Sequence, residues 1–315
     1  MIDFTVVICT YNGERRIPLV LDRLLSQQQI ENLTWEIVIV DNNSTDRTKE
    51  VIQNYQSKSS PNPSEIKYCF EPRQGIAFAR RLAIQEAKGS TIGFLDDDNL
   101  PDKNWIYAAY NFAQIHPNAG AFGSQIEAQY EAKPPQNFER IACFLAIIER
   151  GEEAFRYDVL DRWLFPPGAG LVIRKQVWLD CIPEEPFFSG VSAKSLQRKG
   201  EDIEMLSYVR KKGWEIWHNP EMKVDHLIPS NRLQKSYLMK LLRGIGLSRY
   251  HTRMLQLSTW KKPFFTLVYL FNDLRKLIVH YCTYYQTFNT DLVARCELEY
   301  FWSSLASPFY HWFKI

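Results

Sequence analysis

Several motifs that identify large protein classes are missing from this sequence. No GxGxxG pattern follows the first apolar segment, which disfavours a dinucleotide-binding dehydrogenase. Neither GxxxxGKS nor GxxxxGKT occurs, which argues against a P-loop NTPase. The 6 cysteines are scattered and form no CxxC pair, so the sequence predicts buried free thiols in a reducing compartment rather than a zinc site.

Long apolar runs are also missing. The longest one in the C-terminal part, at 264–271, is interrupted by Thr266 and falls short of the ~20 residues that a membrane span needs. Asp3 interrupts the N-terminus, and a strand pattern follows at once, so no signal peptide is expected. These features predict a cytoplasmic protein.

Charge is unevenly distributed, although the net charge is only +2. Residues 230–315 hold 12 Lys and Arg against 4 Asp and Glu, a net of +8, whereas the remaining 26 basic and 32 acidic residues give −6. The basic C-terminal part therefore favours an anionic contact. A nucleic-acid partner is not expected.

Apolar, β-branched segments at 4–9, 36–40, 66–70 and 91–95 have the length of buried strands. Helical periodicity follows the first three segments, beginning with Ile17, Val20, Leu21 and Leu24. Strands that alternate with helices predict a parallel sheet with helices on both faces. Three strand ends carry polar loops, at 10–14, 41–46 and 96–99, and these loops are expected at one edge of the sheet.

Three consecutive aspartates, 96–98, follow the fourth strand pattern directly. Like charges this close together repel each other unless a cation or a ligand rich in donors lies among them. Because open α/β sheets bind ligands beyond the carboxyl ends of their strands, the cluster indicates a metal and phosphate site. A solvated acidic turn that caps a helix starting near Asp102 is the simpler alternative.

The middle of the chain is less regular. A helix is predicted at 137–150, and short strands are predicted at 214–217 and 223–226. From Tyr237 onward the periodicity is helical, and the far end is rich in aromatic residues. These helices either pack against the preceding domain, which is the favoured interpretation, or lie on a bilayer surface with their basic and aromatic residues at the headgroups.

Taken in order, the loops resemble those of a family 2 glycosyltransferase with the GT-A fold, over about residues 4–230. The segments that carry the resemblance are Val7 to Asn12, Ile39 to Asp46, Gly75 with Ala79-Arg80, Phe94 to Asp98, Gly200-Glu201-Asp202 and Val224-Asp225-His226. The resemblance implies an α/β fold, namely a Rossmann-like mixed sheet flanked by helices. It divides the chain into a catalytic domain at 1–230 and a mainly helical extension at 231–315.

The resemblance also assigns roles to individual residues. Asp202 matches the catalytic base, Asp98 the ligand of a divalent cation (Mn²⁺ or Mg²⁺), and His226 a further metal ligand found in some GT-A enzymes. The nucleotide-sugar donor is expected to contact the remaining matched residues, Thr10, Tyr11, Asn12, Asp41, Arg73, Arg80, Asp96 and Asp97.

The implied reaction is a single displacement that inverts the anomeric centre. The donor is expected to be a UDP-sugar and the acceptor a hydroxyl of a glycan or glycolipid, in polysaccharide biosynthesis. The basic extension allows peripheral contact with the inner face of a membrane. A sugar-phosphate nucleotidyltransferase is an alternative, disfavoured because the loop after the first strand lacks a glycine-rich basic motif. A catalytically inactive protein of the same fold is another.

Overall fold

The computed structural model describes residues 2–57, 63, 65–160, 164–184, 188 and 200–313. Nine strands of this described part form one mixed sheet, in the order β3-β2-β1-β4-β8-β6-β9-β5, with β7 paired to β9. The strands are β1 (Phe4–Thr10), β2 (Trp35–Asp41), β3 (Ile66–Phe70), β4 (Thr91–Asp96), β5 (Asn99–Pro101), β6 (Ala119–Tyr130), β7 (Phe155–Arg156), β8 (Val172–Arg174) and β9 (Glu215–Ile228).

Helices flank the sheet and continue to the C-terminus. They are α1 (Ile17–Leu25), α2 (Thr48–Gln56), α3 (Ile76–Glu86), α4 (Trp105–Ile115), α5 (Tyr157–Leu160), α6 (Lys175–Cys181), α7 (Glu201–Lys211), α8 (Lys235–Leu255), α9 (Lys262–Tyr284) and α10 (Leu292–Phe313). Single 3₁₀ turns lie at Phe138–Arg140, Ala142–Leu145, Ser230–Leu233 and Thr259–Lys261. The predicted α/β fold with a mixed sheet and a helical C-terminal region is confirmed.

The parallel half of the sheet is buried on both faces, which explains its uninterrupted apolar strands. In β1, Val6 and Ile8 pack with α1 and α4 on one face, while Val7 and Cys9 pack with α3 and α7 on the other. Alternate residues of β2 divide in the same way. This period of two orients each strand and so fixes which loop residues face the carboxyl edge of the sheet.

Two predictions about secondary structure are wrong. The helix expected at 137–150 is absent, and its first half forms the two 3₁₀ turns Phe138–Arg140 and Ala142–Leu145. Asn137 and Ala146 adopt left-handed backbone conformations, with φ of 62° and 58°, which a continuous α-helix does not allow. The two short strands expected at 214–217 and 223–226 are one strand, β9, whose pairing with β6 shifts register around Pro220.

The C-terminal helices contact the rest of the protein through a separate apolar cluster. Phe138, Ile141 and Leu145 pack there against α8 and α10, with Leu238 and Val293 among their buried neighbours. Packing against the preceding domain is therefore observed for α8 and α10. Within the described residues, no helix combines the length and the hydropathy that crossing a bilayer requires.

The cysteines are free. Cys9, Cys69 and Cys296 are buried, as predicted, whereas Cys143 and Cys282 are exposed. The prediction of buried thiols therefore holds only for part of the set.

Candidate active site

The carboxyl ends of the parallel strands bring the polar loops together. Thr10 of β1 lies beside Asp41 of β2, and Cys9 of β1 lies beside Asp96 of β4. The expectation that the loops after these strands share one edge is therefore confirmed. This edge opens into a cavity of about 680 Å³.

Asp97 lies at this edge with both carboxylate oxygens occupied. Thr10 Oγ1 donates to Asp97 Oδ2 at 2.6 Å, and Arg16 donates to Oδ1 from Nε at 2.8 Å and to Oδ2 from Nη2 at 2.9 Å. Burial raises the pKa of Asp97, and the bond from Arg16 opposes that shift. Asp97 thus joins the loop after β1 to the loop after β4, and its predicted donor contact stays a prediction.

Asp96 differs from Asp97 in its surroundings. Its carboxylate lines the cavity, and no described side chain forms a hydrogen bond with it; only its backbone N–H is bonded, to Asn99 Oδ1 at 3.0 Å. Burial raises the pKa of Asp96 to about 6; the charge of Arg80 opposes this, and the charges of Asp98 and Asp202 add to it. A cation or a hydrogen-bond donor in the cavity would therefore find Asp96 available.

Asp98 forms a buried cluster with His226 and Arg232. Arg232 Nη2 lies 2.7 Å from Asp98 Oδ2, and His226 Nε2 lies 3.6 Å from Asp98 Oδ1. Burial raises the pKa of Asp98, but His226 and Arg232 outweigh it and hold that pKa well below the usual range. The pairing of β5 with β9, which places Asn99 opposite His226, brings these residues together.

The side chains of Asp98 and His226 are of the types that bind a divalent cation. Carboxylate oxygens suit Mg²⁺ and Mn²⁺, and imidazole is an acceptable ligand for transition metals. The buried His226 Nδ1 has no hydrogen-bond partner among the described residues. Within that same part of the chain, no three ligating side chains are grouped closely enough to hold a metal ion by themselves. Arg232 instead supplies the positive charge beside Asp98.

Asp202 also lines the cavity, from the first turn of α7. Arg80 Nη1 donates to Asp202 Oδ1, and the Gly168 N–H donates to Oδ2 at 2.8 Å. Burial lowers the pKa of Arg80, but the charges of Asp202 and Asp96 outweigh this and raise it above its usual range. A Cβ at position 168 would overlap the ends of the Arg80 and Asp202 side chains, so any residue other than glycine there would displace this ion pair.

The other residues that were expected to contact the nucleotide-sugar donor include Tyr11, Asn12 and Asp41. Tyr11 lines the cavity, and Asn12 Oδ1 accepts a bond from the Thr45 N–H at 2.8 Å. Asp41 is buried and accepts bonds from the Tyr68 hydroxyl at 2.9 Å and the Ser44 N–H at 2.8 Å.

Arg73 is not brought into the cavity. Its guanidinium pairs with Glu71 at 2.8 and 2.9 Å, and 64% of its side chain is exposed. Arg80 reaches the cavity, but it is turned towards Asp202. The contact with the nucleotide-sugar donor that was expected of both arginines stays a prediction.

Sequence reasoning missed Arg16 and Arg232. Arg16 was detectable as a basic residue in the loop that leaves the first strand. Arg232 lies just beyond the segments that carried the resemblance, and no local pattern connects it with Asp98. Gly168 was visible as part of a glycine-containing turn, but its proximity to Asp202 depends on the fold.

The family model described as "Glycosyl transferase family 2" matches residues 5–178. Poly(ribitol-phosphate) beta-N-acetylglucosaminyltransferase TarS of Staphylococcus aureus is 29% identical over 116 residues, which are 37% of this chain and 20% of TarS. Human dolichyl-phosphate beta-glucosyltransferase is 29% identical over 146 residues, 43% of this chain and 45% of that protein. The chain therefore spans less than half the length of either relative.

Solved structures share the fold. The mannosyltransferase PcManGT from Pyrobaculum calidifontis, in complex with GDP-Man and Mn²⁺, has a TM-score of 0.61 and 16% identity, covering 99% of this chain and 87% of that one. Residues 1–349 of S. aureus TarS in complex with UDP-GlcNAc have a TM-score of 0.55 and 15% identity, covering 99% and 92%.

Proposed function

The chain belongs to glycosyl transferase family 2, and we propose that it transfers a sugar, with inversion, from a UDP-sugar to a hydroxyl of a glycan or lipid-linked acceptor in polysaccharide biosynthesis. One observation carries the proposal: the aspartates after β4 and Asp202 of α7 line one cavity, and the charges of both Asp96 and Asp202 act on Arg80. Separate sites for the leaving group and for the attacking hydroxyl are what a single displacement requires. The TarS complex with UDP-GlcNAc supports the choice of a UDP-sugar.

On the donor side, the loops after β1 and β2 would enclose the nucleotide, with Tyr11 and Asp41 near the base. Asp96, whose carboxylate has no bonded side chain, would accept hydrogen bonds from the donor's ribose. A divalent cation held by Asp98 and His226 would neutralise the charge that develops on the leaving diphosphate. Arg16 fixes Asp97 and so maintains the shape of the loop between Asp96 and Asp98.

On the acceptor side, Asp202 would accept the proton of the attacking hydroxyl. A general base must lie within hydrogen-bond reach of that proton and must hold its orientation. Arg80 and the Gly168 N–H fix one oxygen of Asp202 each, which keeps the carboxylate plane constant during the reaction. The second lone pair of each oxygen remains available to a hydroxyl.

A panel of nucleotide sugars tests this function directly. With Mn²⁺ and a lipid-linked or oligosaccharide acceptor, the protein should release UDP from at least one UDP-sugar, and the acceptor should raise the rate. Matched GDP-sugars serve as the control, because release of GDP alone would contradict the donor assignment. Release of pyrophosphate from a nucleoside triphosphate and a sugar phosphate would support a nucleotidyltransferase instead.

We further propose that α9 contacts an anionic membrane surface. Its buried residues are the polar Thr266, Asp273 and His280, at heptad spacing, whereas its apolar residues point outward. This outer face of α9 consists of Phe264, Leu267, Val268, Phe271, Leu274, Ile278, Val279 and Tyr281, all at least 41% exposed. A helix in water normally shows the reverse arrangement.

Positive charge accompanies this outer face. Arg275 and Lys276 are exposed on α9, and Lys261 lies 5.1 Å from the ring centre of the exposed Trp260 just before it. Apolar side chains flanked by basic and aromatic residues suit the boundary between headgroups and acyl chains. These basic residues would be attracted to an anionic bilayer but would repel a second copy of the same surface, so we favour the bilayer.

Vesicle binding tests this contact. The protein should sediment with vesicles that contain anionic lipid at low salt, and Phe271→Glu should weaken binding roughly tenfold because it replaces apolar contact with a repelled charge. Ile115→Glu, on an equally exposed position of α4, is the matched control and should leave binding unchanged. Dimers that form at α9 without lipid, and dissociate in Phe271→Glu, would overturn the membrane assignment.

A further inference from the structure

The cavity extends beyond the aspartates towards the C-terminal helices. There it is bounded by α8, by α10 and by the turn at Ala142–Leu145, and its wall is mainly apolar. The apolar contributors are Phe144, Leu145, Ala146, Ile148, Leu241 and Ile245. Five of these six side chains are aliphatic, and such a wall suits a hydrocarbon better than a sugar ring, which needs many hydrogen-bond partners.

Arg249 of α8 lines this part of the cavity without a carboxylate partner among the described residues. It donates a hydrogen bond to the Tyr300 hydroxyl, and its guanidinium lies 5.2 Å from the Tyr300 ring centre. Its Nε is buried and has no partner in the described part of the chain. Asp273, the nearby carboxylate, is engaged by Arg253 at 2.5 and 2.8 Å. Burial lowers the pKa of Arg249, as expected for a cation without a paired anion.

Arg150 lines the same cavity and also lacks a carboxylate partner among the described residues. Its guanidinium lies 5.5 Å from the Tyr157 ring centre, its buried Nε has no partner, and no described carboxylate pairs with it. Other arginines at the cavity are neutralised: Arg16 by Asp97, Arg80 by Asp202 and Arg232 by Asp98. Arg150 and Arg249 therefore carry positive charge that the described part of the chain leaves unbalanced.

Arg249 lies on the part of α8 that packs near the loop before Asp202, the proposed base. The space that a Cβ at Gly200 would occupy lies 3.0 Å from Thr252 Cγ2, so Thr252 packs against the loop that carries Asp202. Arg249 precedes Thr252 by three residues on α8, so both lie on one helical face, about one turn apart. Arg249, Thr252 and Asp202 all line the same cavity, so an anion bound by Arg249 and a hydroxyl bound at Asp202 can belong to one acceptor.

We propose that Arg150 and Arg249 bind a phosphate group of the acceptor, and that this phosphate is joined to an apolar chain lying against the aliphatic wall. This proposal rests on the proposed function, because it specifies the acceptor of the same site. Guanidinium groups suit phosphate because they donate two parallel hydrogen bonds to it. Such an acceptor would be a glycan carried on a lipid-linked phosphate, with a sugar hydroxyl at Asp202, rather than a free neutral glycan.

Calorimetric binding of geranyl phosphate below its micelle concentration, in the presence of UDP, tests the proposal. Geranyl phosphate should bind more tightly than geraniol or inorganic phosphate, because each of these provides only half of the contacts. Arg249→Gln and Arg150→Gln should each weaken binding at least about tenfold. Arg249→Lys, which keeps the charge, should recover part of the loss. Arg243→Gln, at an exposed position of the same helix, is the matched control.

The outcomes separate this proposal from the proposed function. UDP binding and acceptor-independent UDP release should be normal in the control Arg243→Gln, and their absence in the unmodified protein would count against the glycosyltransferase activity itself. Equal binding of geraniol and geranyl phosphate would overturn the phosphate subsite. Tighter binding of glucuronate than of geranyl phosphate, sensitive to Arg249→Gln, would overturn the lipid and indicate an acidic sugar.

Discussion

Asp202→Asn should lower the rate of sugar transfer about 10³-fold, while UDP binds as tightly as before. Asparagine preserves the shape of the side chain and can still accept the Gly168 N–H bond, but it cannot accept a proton from the attacking hydroxyl. Within the described part of the chain, the residues proposed to bind the donor form no hydrogen bond with Asp202 other than through Arg80, so UDP binding should be unaffected. Transfer is measured by UDP release with acceptor, and donor binding by calorimetry with UDP.

This substitution also removes the partner of Arg80, which is buried. Loss of a buried pair costs about 3 kcal/mol in the free energy of unfolding, so the variant should melt at a lower temperature. Activity is therefore compared well below that temperature. Asp180→Asn, at an exposed carboxylate of α6, is the matched control and should change neither property. Transfer at an undiminished rate in Asp202→Asn would exclude Asp202 as the base.

The fold was predictable where its cause is local. The four apolar strands of the first hundred residues are encoded by short β-branched runs, and the helices between them by periodicity, so their parallel arrangement followed. The prediction for 137–150 was wrong because the apolar residues of this segment have helical spacing although the segment is not one helix. Tertiary contacts decide its structure: Ile148 pairs with Ile126 of β6, while Phe138 and Leu145 pack against the C-terminal helices.

In the candidate site, too, the features with a local cause were predictable and those that depend on distant contacts were not. The aspartates were detectable because they follow a buried strand directly, and strand ends share an edge of the sheet. Their partners were not, because the bonds from Arg16 to Asp97, from Arg80 to Asp202 and from Arg232 to Asp98 join distant parts of the chain. The inverted polarity of α9 was also hidden, since its apolar periodicity predicts a buried face and only packing reveals which face is outside.

These three ion pairs give the cavity a defined charge balance. Each pairs one arginine with one carboxylate, and Asp96 is left without a bonded side chain. A nucleoside diphosphate placed at the aspartates would be repelled by the charge of Asp96. A divalent cation would offset this repulsion, and so would the release of Arg232 from Asp98 towards the phosphates.

Asp98→Asn distinguishes these possibilities and should lower transfer about 10³-fold. Without the charged ligand the cation no longer stabilises the leaving group, and the activation free energy rises by about 4 kcal/mol. Mn²⁺ binding, followed by the electron paramagnetic resonance signal of free Mn²⁺ in the presence of UDP, should be lost in parallel. Asp102→Asn, a carboxylate outside the cavity that bonds the Asn104 N–H, should bind Mn²⁺ normally.

Arg232→Gln provides the complementary result. If Arg232 competes with the cation for Asp98 Oδ2, its removal should increase the affinity for Mn²⁺ while Asp98→Asn abolishes it. Opposite effects from two side chains in one ion pair cannot arise from a general loss of structure, which would weaken binding in both. Full activity after chelation of divalent cations, combined with its loss in Arg232→Gln, would overturn the metal assignment. The guanidinium would then be the group that neutralises the departing diphosphate.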